Sequence, residues 1–221
     1  MKGNLRHNKY LRLSRDLITL VVVQAGQMLY QSQAANPHYS LTECMKHAYT
    51  VLDSGKALKT FRQMMLAQGS EPEFLSMALE TPQDVPLAKY VATWQFGTND
   101  KGFNQPHYYI HDIPAKTIGN ISVMIGAGRT MAGQTVDAQA GLVFSKQVGY
   151  MVEANDAIVT IYTNISQELA NQAMEAVQSA ITITSGQSAT VKGPIVTHIV
   201  DSRDGTRPFA VPDWLESEFA E

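Results

Sequence analysis

Apolar positions in the first third of the chain fall at helical spacing. Between residues 10 and 30, Leu13, Leu17, Leu20, Val21 and Met28 recur close to the 3.6-residue period that one buried helix face requires. The run Leu20-Val21-Val22-Val23 widens that stripe with β-branched side chains, which predicts a helix buried on more than one side. Asn36-Pro37 breaks it. Ser40-Leu41-Thr42-Glu43 then reads as a capping box, with the Ser40 hydroxyl accepting from the Glu43 amide while the Glu43 side chain reaches back. Met45, Ala48, Val51 and Leu52 form the face of this second helix, and Gly55 supplies its left-handed stop. A third helix is predicted over 56–68, striped by Leu58, Phe61, Met64 and Met65 and ended by Gly69. Three helices with short connections should pack on each other or on a sheet.

After Glu80 the period changes. Residues 81–86 read as a linker, followed by β-type segments at 90–96, 107–113, 141–145 and 157–162. Gly97, Asn99-Asp100, Gly149 and Asn155-Asp156 punctuate them. Residues 166–180 return to helix, with Leu169, Ala173, Val177 and Ala180 at helical spacing, and 181–184 and 195–200 predict closing strands. Helices, strands, a helix and strands again predict an α/β or α+β chain with a β-rich second half.

Composition narrows the function classes. With 221 residues, 44% hydrophobic and 17% charged, the chain is long enough for one large domain or two small ones and is not disordered by composition. Lys+Arg number 17 against 20 Asp+Glu, a formal charge of -3, which argues against a nucleic-acid binder with a basic face. Cys44 is the only cysteine, so an internal disulfide and a cysteine-based zinc cage are excluded. The apolar stretch from Leu17 to Val23 is too short to cross a bilayer, and no cleavage site follows it. The expectation is a cytoplasmic protein with neither membrane nor nucleic acid as partner.

Candidate chemistry is sparse. His107 and His111 are four apart, a metal spacing on a helix, but the Tyr108-Tyr109-Ile110 filling predicts a strand, which separates the two rings by ~13 Å. No Glu follows His107, as a zinc protease would need. Ser188 is the serine nearest to a nucleophile elbow and lacks the helix after it. Cys44, inside the second helix, reads as a packed side chain. No metal site is expected. Gly126-Ala127-Gly128-Arg129, followed by Gly133, is the most distinctive cluster. Glycines let backbone amides turn toward an anion, and an arginine can match its charge; the alternative is a tight turn leaving 118–125.

These segments together resemble the thymidine and pyrimidine-nucleoside phosphorylase family. Asp53-Ser54-Gly55-Lys56-Ala57-Leu58, with Phe61, Met64 and Gln68-Gly69, is similar to its helix–turn–helix segment. Ile118-Gly119 leading to Gly126-Ala127-Gly128-Arg129 resembles its signature turn. Asp137, Gly141, Lys146, Gly149, Val152 and Asp156 stand at the spacing of its C-terminal domain, and Arg207-Pro208-Phe209-Ala210-Val211-Pro212 is similar to the tail of animal-type members. Tyr150 and Asn155 depart from the family's usual Asp and Gly, and asparagine tolerates the left-handed conformation that such a turn needs. The family implies helix at 118–125, although Ile121, Val123 and Ile125 carry strand propensity.

The resemblance implies a helical part of the larger α/β domain over 1–84, then a β-rich barrel-sandwich or hammerhead C-terminal domain over 85–221. It implies phosphorolysis, in which inorganic phosphate as co-substrate cleaves a pyrimidine nucleoside to the base and a pentose 1-phosphate, with no further cofactor. The family's double-glycine phosphate loop and its base-binding Arg, Ser and Lys have no counterpart here, so the chain resembles a C-terminal half and no catalytic residue carries over. Arg129, Thr130 and Gly133 remain as candidates for a loop that closes the cleft, with Gly126 and Gly128 as its structural turn. Lys146 lies at a strand end, unlike the hairpin-tip lysine of a biotinyl or lipoyl carrier. The expected partner is the N-terminal half or a full-length relative of a homodimeric family. A non-catalytic association module with the same fold is the alternative.

Overall fold

The computed structural model of the chain describes residues 15–32, 38–97, 107–186, 194–201 and 205–217. Tyr10, Leu13, the break at Asn36-Pro37, the Asn99-Asp100 turn and Ser188 lie outside them. Two compact units emerge, residues 1–85 with 193–221 and residues 86–192. The tail, grouped by sequence with the second domain, thus returns to the first unit.

The first unit contains helices α1 (Arg15–Ser32), α2 (Leu41–Asp53), α3 (Lys56–Ala67) and α4 (Pro72–Glu80). The capping box forms as expected. Ser40 Oγ accepts from Glu43 N at 3.3 Å, and Ser40 N donates to Glu43 Oε2 at 2.8 Å. Gly55 and Gly69 take the left-handed conformation at φ 76° and 92°. Helix α4 was not anticipated, although Pro72 at its start has the fixed φ a first turn favours.

The core of this unit is Ile18, Val22 and Val23 of α1 against Met45 and Tyr49 of α2, completed by Leu215. Gly26 lets the two helices meet: a Cβ there would stand 2.9 Å from both the N and the Cα of Met45. The tail adds a hairpin, whose strands are labelled β7 (His198–Asp201) and β8 (Gly205–Pro208) after six earlier ones, and a last helix α7 (Asp213–Ser217). Trp214 of α7 meets the Tyr49 ring edge-on at 5.9 Å, and Lys46 Nζ lies 5.9 Å from the indole centroid. The predicted apolar stripe of α3 is present but unburied, with Leu58, Phe61 and Met64 at 39%, 42% and 45% exposure.

The second unit is mixed. Strand β5 (Ala157–Thr163) pairs antiparallel with β1 (Tyr90–Gln95) and with β3 (Gly141–Phe144). Strand β2 (Tyr108–Asp112) pairs with β4 (Met151–Val152) and with β6 (Thr182–Ser185). Helix α5 (Ala115–Ser122) precedes the glycine turn, and α6 (Gln167–Ala180), capped by Ser166 Oγ, packs on β1 and β5. Ile158, Val159 and Ile161 are fully buried, so β5 is covered on both faces. They join Ile110, Ile121, Ile125, Ala173 and Val177 in one core. Asn155 is left-handed at φ 70°, as the asparagine-for-glycine exchange predicts, and its amide donates to Phe96 O at 2.8 Å. The strand expected near His107 forms, with His111 on it and His107 just before it. A helix-and-sheet chain is therefore confirmed, and among the described residues the sheets are two sets of three strands and a hairpin.

Because a methyl at Gly26 must push α2 backbone, Gly26→Ala is expected to lower stability by about 1–3 kcal/mol. Gly119, inside α5 with no atom near an added methyl, should gain about 0.5–1 kcal/mol when replaced by Ala. Denaturant midpoints of the two variants should move in opposite directions.

Candidate functional site

Helix α5 does not stop at Ser122. It widens into a π-turn over Val123–Ala127, and Gly126 breaks it at φ 104°. Ile121 and Ile125, four apart, are buried, so the helical reading of this segment holds over the strand-like one. Gly128 is needed for space, not for its torsion: it is extended, and a Cβ would lie 2.6 Å from Val123 Cγ2.

The end of this helix lies in the core, so its carbonyls need donors. Thr163, fully buried at the end of β5, donates from Oγ1 to Ile125 O at 2.8 Å and accepts from Ile165 N at 3.3 Å. Asp137 N donates to Gly126 O at 2.9 Å. The Asp137 carboxylate in turn accepts from Gln139 N at 3.0 Å and from Asn164 Nδ2 at 2.9 Å. Asn164 Oδ1 accepts from Lys89 N at 2.8 Å, and Gln139 Nε2 donates to Pro86 O at 3.1 Å. The Gln139 amide first, against a smaller opposing effect of burial, holds the Asp137 carboxyl below its ordinary value.

From that base hangs the loop of candidates. Arg129 and Thr130 are exposed and adjacent, and Gly133 is left-handed at φ 84° with no atom near an added methyl. Thr130 donates from both N and Oγ1 to Gln134 Oε1, each at 2.9 Å, which closes the loop on itself. Met131 at its tip is 73% exposed. Arg129 forms no ion pair with a described carboxylate. Thr163, Asn164 and Gln139 were missed by sequence reasoning; the one available signal was a polar pair, Thr163-Asn164, closing an apolar strand.

The other candidates are structural. Lys146 Nζ pairs with Asp156 Oδ2 at 2.7 Å and donates to Met151 O at 3.2 Å, so its ammonium is held at both contacts. Chiefly through that Lys146 hydrogen bond, the Asp156 carboxyl is held below its ordinary value. Cys44 is buried in α2. Among the described residues no three His, Cys, Asp or Glu come together as a metal site, and no helix is long and apolar enough to cross a membrane.

The comparisons with known proteins agree with this frame. Residues 109–184 match the pyrimidine nucleoside phosphorylase C-terminal domain. That stretch holds strands β3 to β5, all but one residue each of β2 and β6, helices α5 and α6 and the whole glycine turn, which defines the class as that domain. Pyrimidine-nucleoside phosphorylase from Staphylococcus epidermidis is 31% identical over 184 residues, 83% of this chain and 39% of the relative. The Geobacillus stearothermophilus enzyme of the same name is 30% identical over 69% of the chain and 32% of the relative, and one from Staphylococcus aureus is 27% identical over 76% and 35%. The chain belongs to the pyrimidine-nucleoside phosphorylase family. It spans about a third to two fifths of the length of the curated relatives it matches.

Thr163→Val, which keeps the shape and removes the donor to Ile125 O, should cost about 1–3 kcal/mol in a denaturant titration. Because the folded-state carboxyl of Asp156 is depressed, its pairing stabilises the fold above the ordinary value of 3.8 and is lost as pH falls through the lower folded value. Lys146→Gln should therefore shrink the stability difference between neutral pH and pH below 3.8, measured as the shift in denaturant midpoint.

Proposed function

We propose that this chain is the C-terminal portion of a thymidine or pyrimidine-nucleoside phosphorylase, an enzyme that uses inorganic phosphate to cleave a pyrimidine nucleoside to base and pentose 1-phosphate. The observation that carries this reading is the match of residues 109–184 to the C-terminal domain, together with coverage of only 39% of the relative from Staphylococcus epidermidis. In this reading residues 86–192 form a barrel-sandwich-type domain, and residues 1–85 with 193–221 belong to the larger α/β domain of a cytoplasmic homodimer.

The chemistry divides accordingly. Phosphorolysis needs donors that hold a phosphate dianion in line with the anomeric carbon and others that neutralise charge on the departing base. Neither set is encoded here: the chain has no adjacent glycine pair and no Lys-His-Ser run. The N-terminal half supplies both sets, and this chain supplies the scaffold and the loop of Arg129, Thr130 and Gly133. That loop closes over the cleft mouth, with the Arg129 guanidinium as its charged group. The chain is inactive on its own.

Incubated with thymidine and inorganic phosphate, the purified 221-residue polypeptide should release no thymine above background; measurable turnover by the chain alone overturns the division of labour. In the assembled enzyme, Arg129→Ala should lower kcat/KM while changing stability by no more than about 0.5 kcal/mol. An unchanged kcat/KM would remove the loop from the mechanism.

A further inference from the structure

Two consecutive residues at one strand end hold both feet of the loop that carries Arg129. Residues 127–136 leave Gly126 and return to Asp137, whose amide donates to Gly126 O at 2.9 Å, so the segment is closed at its base like an Ω-loop. At the first foot, Thr163 Oγ1 donates to the Ile125 carbonyl. At the second, Asn164 Nδ2 donates to Asp137 Oδ1 at 3.1 Å and to Oδ2 at 2.9 Å. Every residue from 129 to 136 is exposed, so the direction in which the loop projects is set at these feet.

The two anchors differ in kind. Thr163 is fully buried and serves the helix end. Asn164 is exposed and belongs to no core, yet its whole amide is committed. Besides Asp137, Nδ2 donates to Gln139 Oε1 at 2.9 Å, and Oδ1 accepts from Lys89 N at 2.8 Å. Only one orientation of the amide satisfies these partners. Turned over, its oxygen would face the Asp137 carboxylate and its NH2 would face the Lys89 N–H. Gln139 extends the tie, because its N donates to Asp137 Oδ1 at 3.0 Å and its Nε2 to Pro86 O at 3.1 Å. The exit foot is thereby fastened to residues 86–89, the segment that opens the second unit and leads directly into β1.

We propose that Asn164 is a positioning residue: its amide fixes the exit foot at Asp137 and so the direction in which the loop presents the Arg129 guanidinium. The proposal rests on the reading that this loop serves phosphorolysis. Asn164 touches no substrate in it and acts through the side chain at 129. The first anchor preserves the fold, and the second preserves the aim of the loop.

The test separates loop order from turnover. Asn164→Asp keeps the shape and the acceptor for Lys89 N but sets a carboxylate against Asp137, whereas Asn164→Ala removes both bonds. In the 221-residue chain both variants should keep the melting curve, because the site is exposed. Amide exchange at Thr130, Asp137 and Gln139 should quicken about tenfold in both, with α6 and the middle of β5 unchanged. The Lys89 amide should quicken only in Asn164→Ala. In the assembled enzyme, Asn164→Asp should lower kcat/KM about tenfold, but less than about twofold in the Arg129→Ala background, since nothing is then left to aim. Unchanged exchange at Asp137 and Gln139, exchange quickened throughout the unit, or losses that multiply in the double variant each overturn the proposal. Thymidine turnover by the isolated chain registers separately, as failure of the functional reading, and leaves loop order to be decided by exchange.

Discussion

A helix that ends inside a core leaves carbonyls with no water to pair them, and in the second unit this constraint decides where everything near the glycine turn must sit. The Thr163 hydroxyl takes the Ile125 carbonyl, and the Asp137 amide takes that of Gly126. Because Thr163 terminates the central strand of a three-stranded sheet, the π-turn is tied to the most buried element of its unit. The same end of the strand supplies Asn164, which orients Asp137 and, through the Lys89 amide, the entry of the chain into β1. A loop that is exposed along its length therefore springs from a base with little freedom.

The first unit is governed by contact between backbones. Gly26 lets α1 settle on α2 at Met45, and that approach brings Ile18 and Val22 against Tyr49. The tail contributes to the same core: Leu215 is fully buried in it, and Trp214 packs on Tyr49 beneath Lys46. Helix α3 contrasts with this arrangement. It has no buried residue, and its link to α4 runs largely through Arg62, which reaches Glu80 at 2.9 Å and also donates to Ser76. Such exposed ion pairs contribute little stability, so the order of α3 rests mainly on its own helical sequence and its glycine stops.

Much of this was legible because it is local. The capping box at Ser40, the stops at Gly55 and Gly69 and the left-handed Asn155 each need only a few adjacent residues to specify them. Ile121, Val123 and Ile125 show where local evidence fails. Their alternation suits a strand and the spacing from Ile121 to Ile125 suits a helix; a packed core that takes Ile121 and Ile125 but leaves Val123 half-buried decides between them. Strand β4 is two residues long and β8 is exposed at all four positions, so neither writes an alternation into the sequence. Thr163 was hidden for a different reason. A buried hydroxyl looks like any strand threonine until the carbonyl it serves, 38 residues earlier in the chain, is placed beside it.

The charged residues at family spacing can be sorted by what already occupies them. Asp137 accepts from a backbone amide and an asparagine and is held ionised, so it is a poor candidate for a base. Lys146 and Asp156 neutralise each other across the turn before β5, and neither offers an unpaired charge to a substrate. Phosphorolysis moves negative charge from phosphate toward a departing base, and a protein assists it with donors that are not committed elsewhere. Around the glycine turn the arginine at 129 fits that description among the described residues, on a loop whose base is fixed and whose tip is in solvent. Burial and pairing thus assign the aspartates and the lysine to the scaffold; under the proposed function, the exposed guanidinium is what remains for recognition.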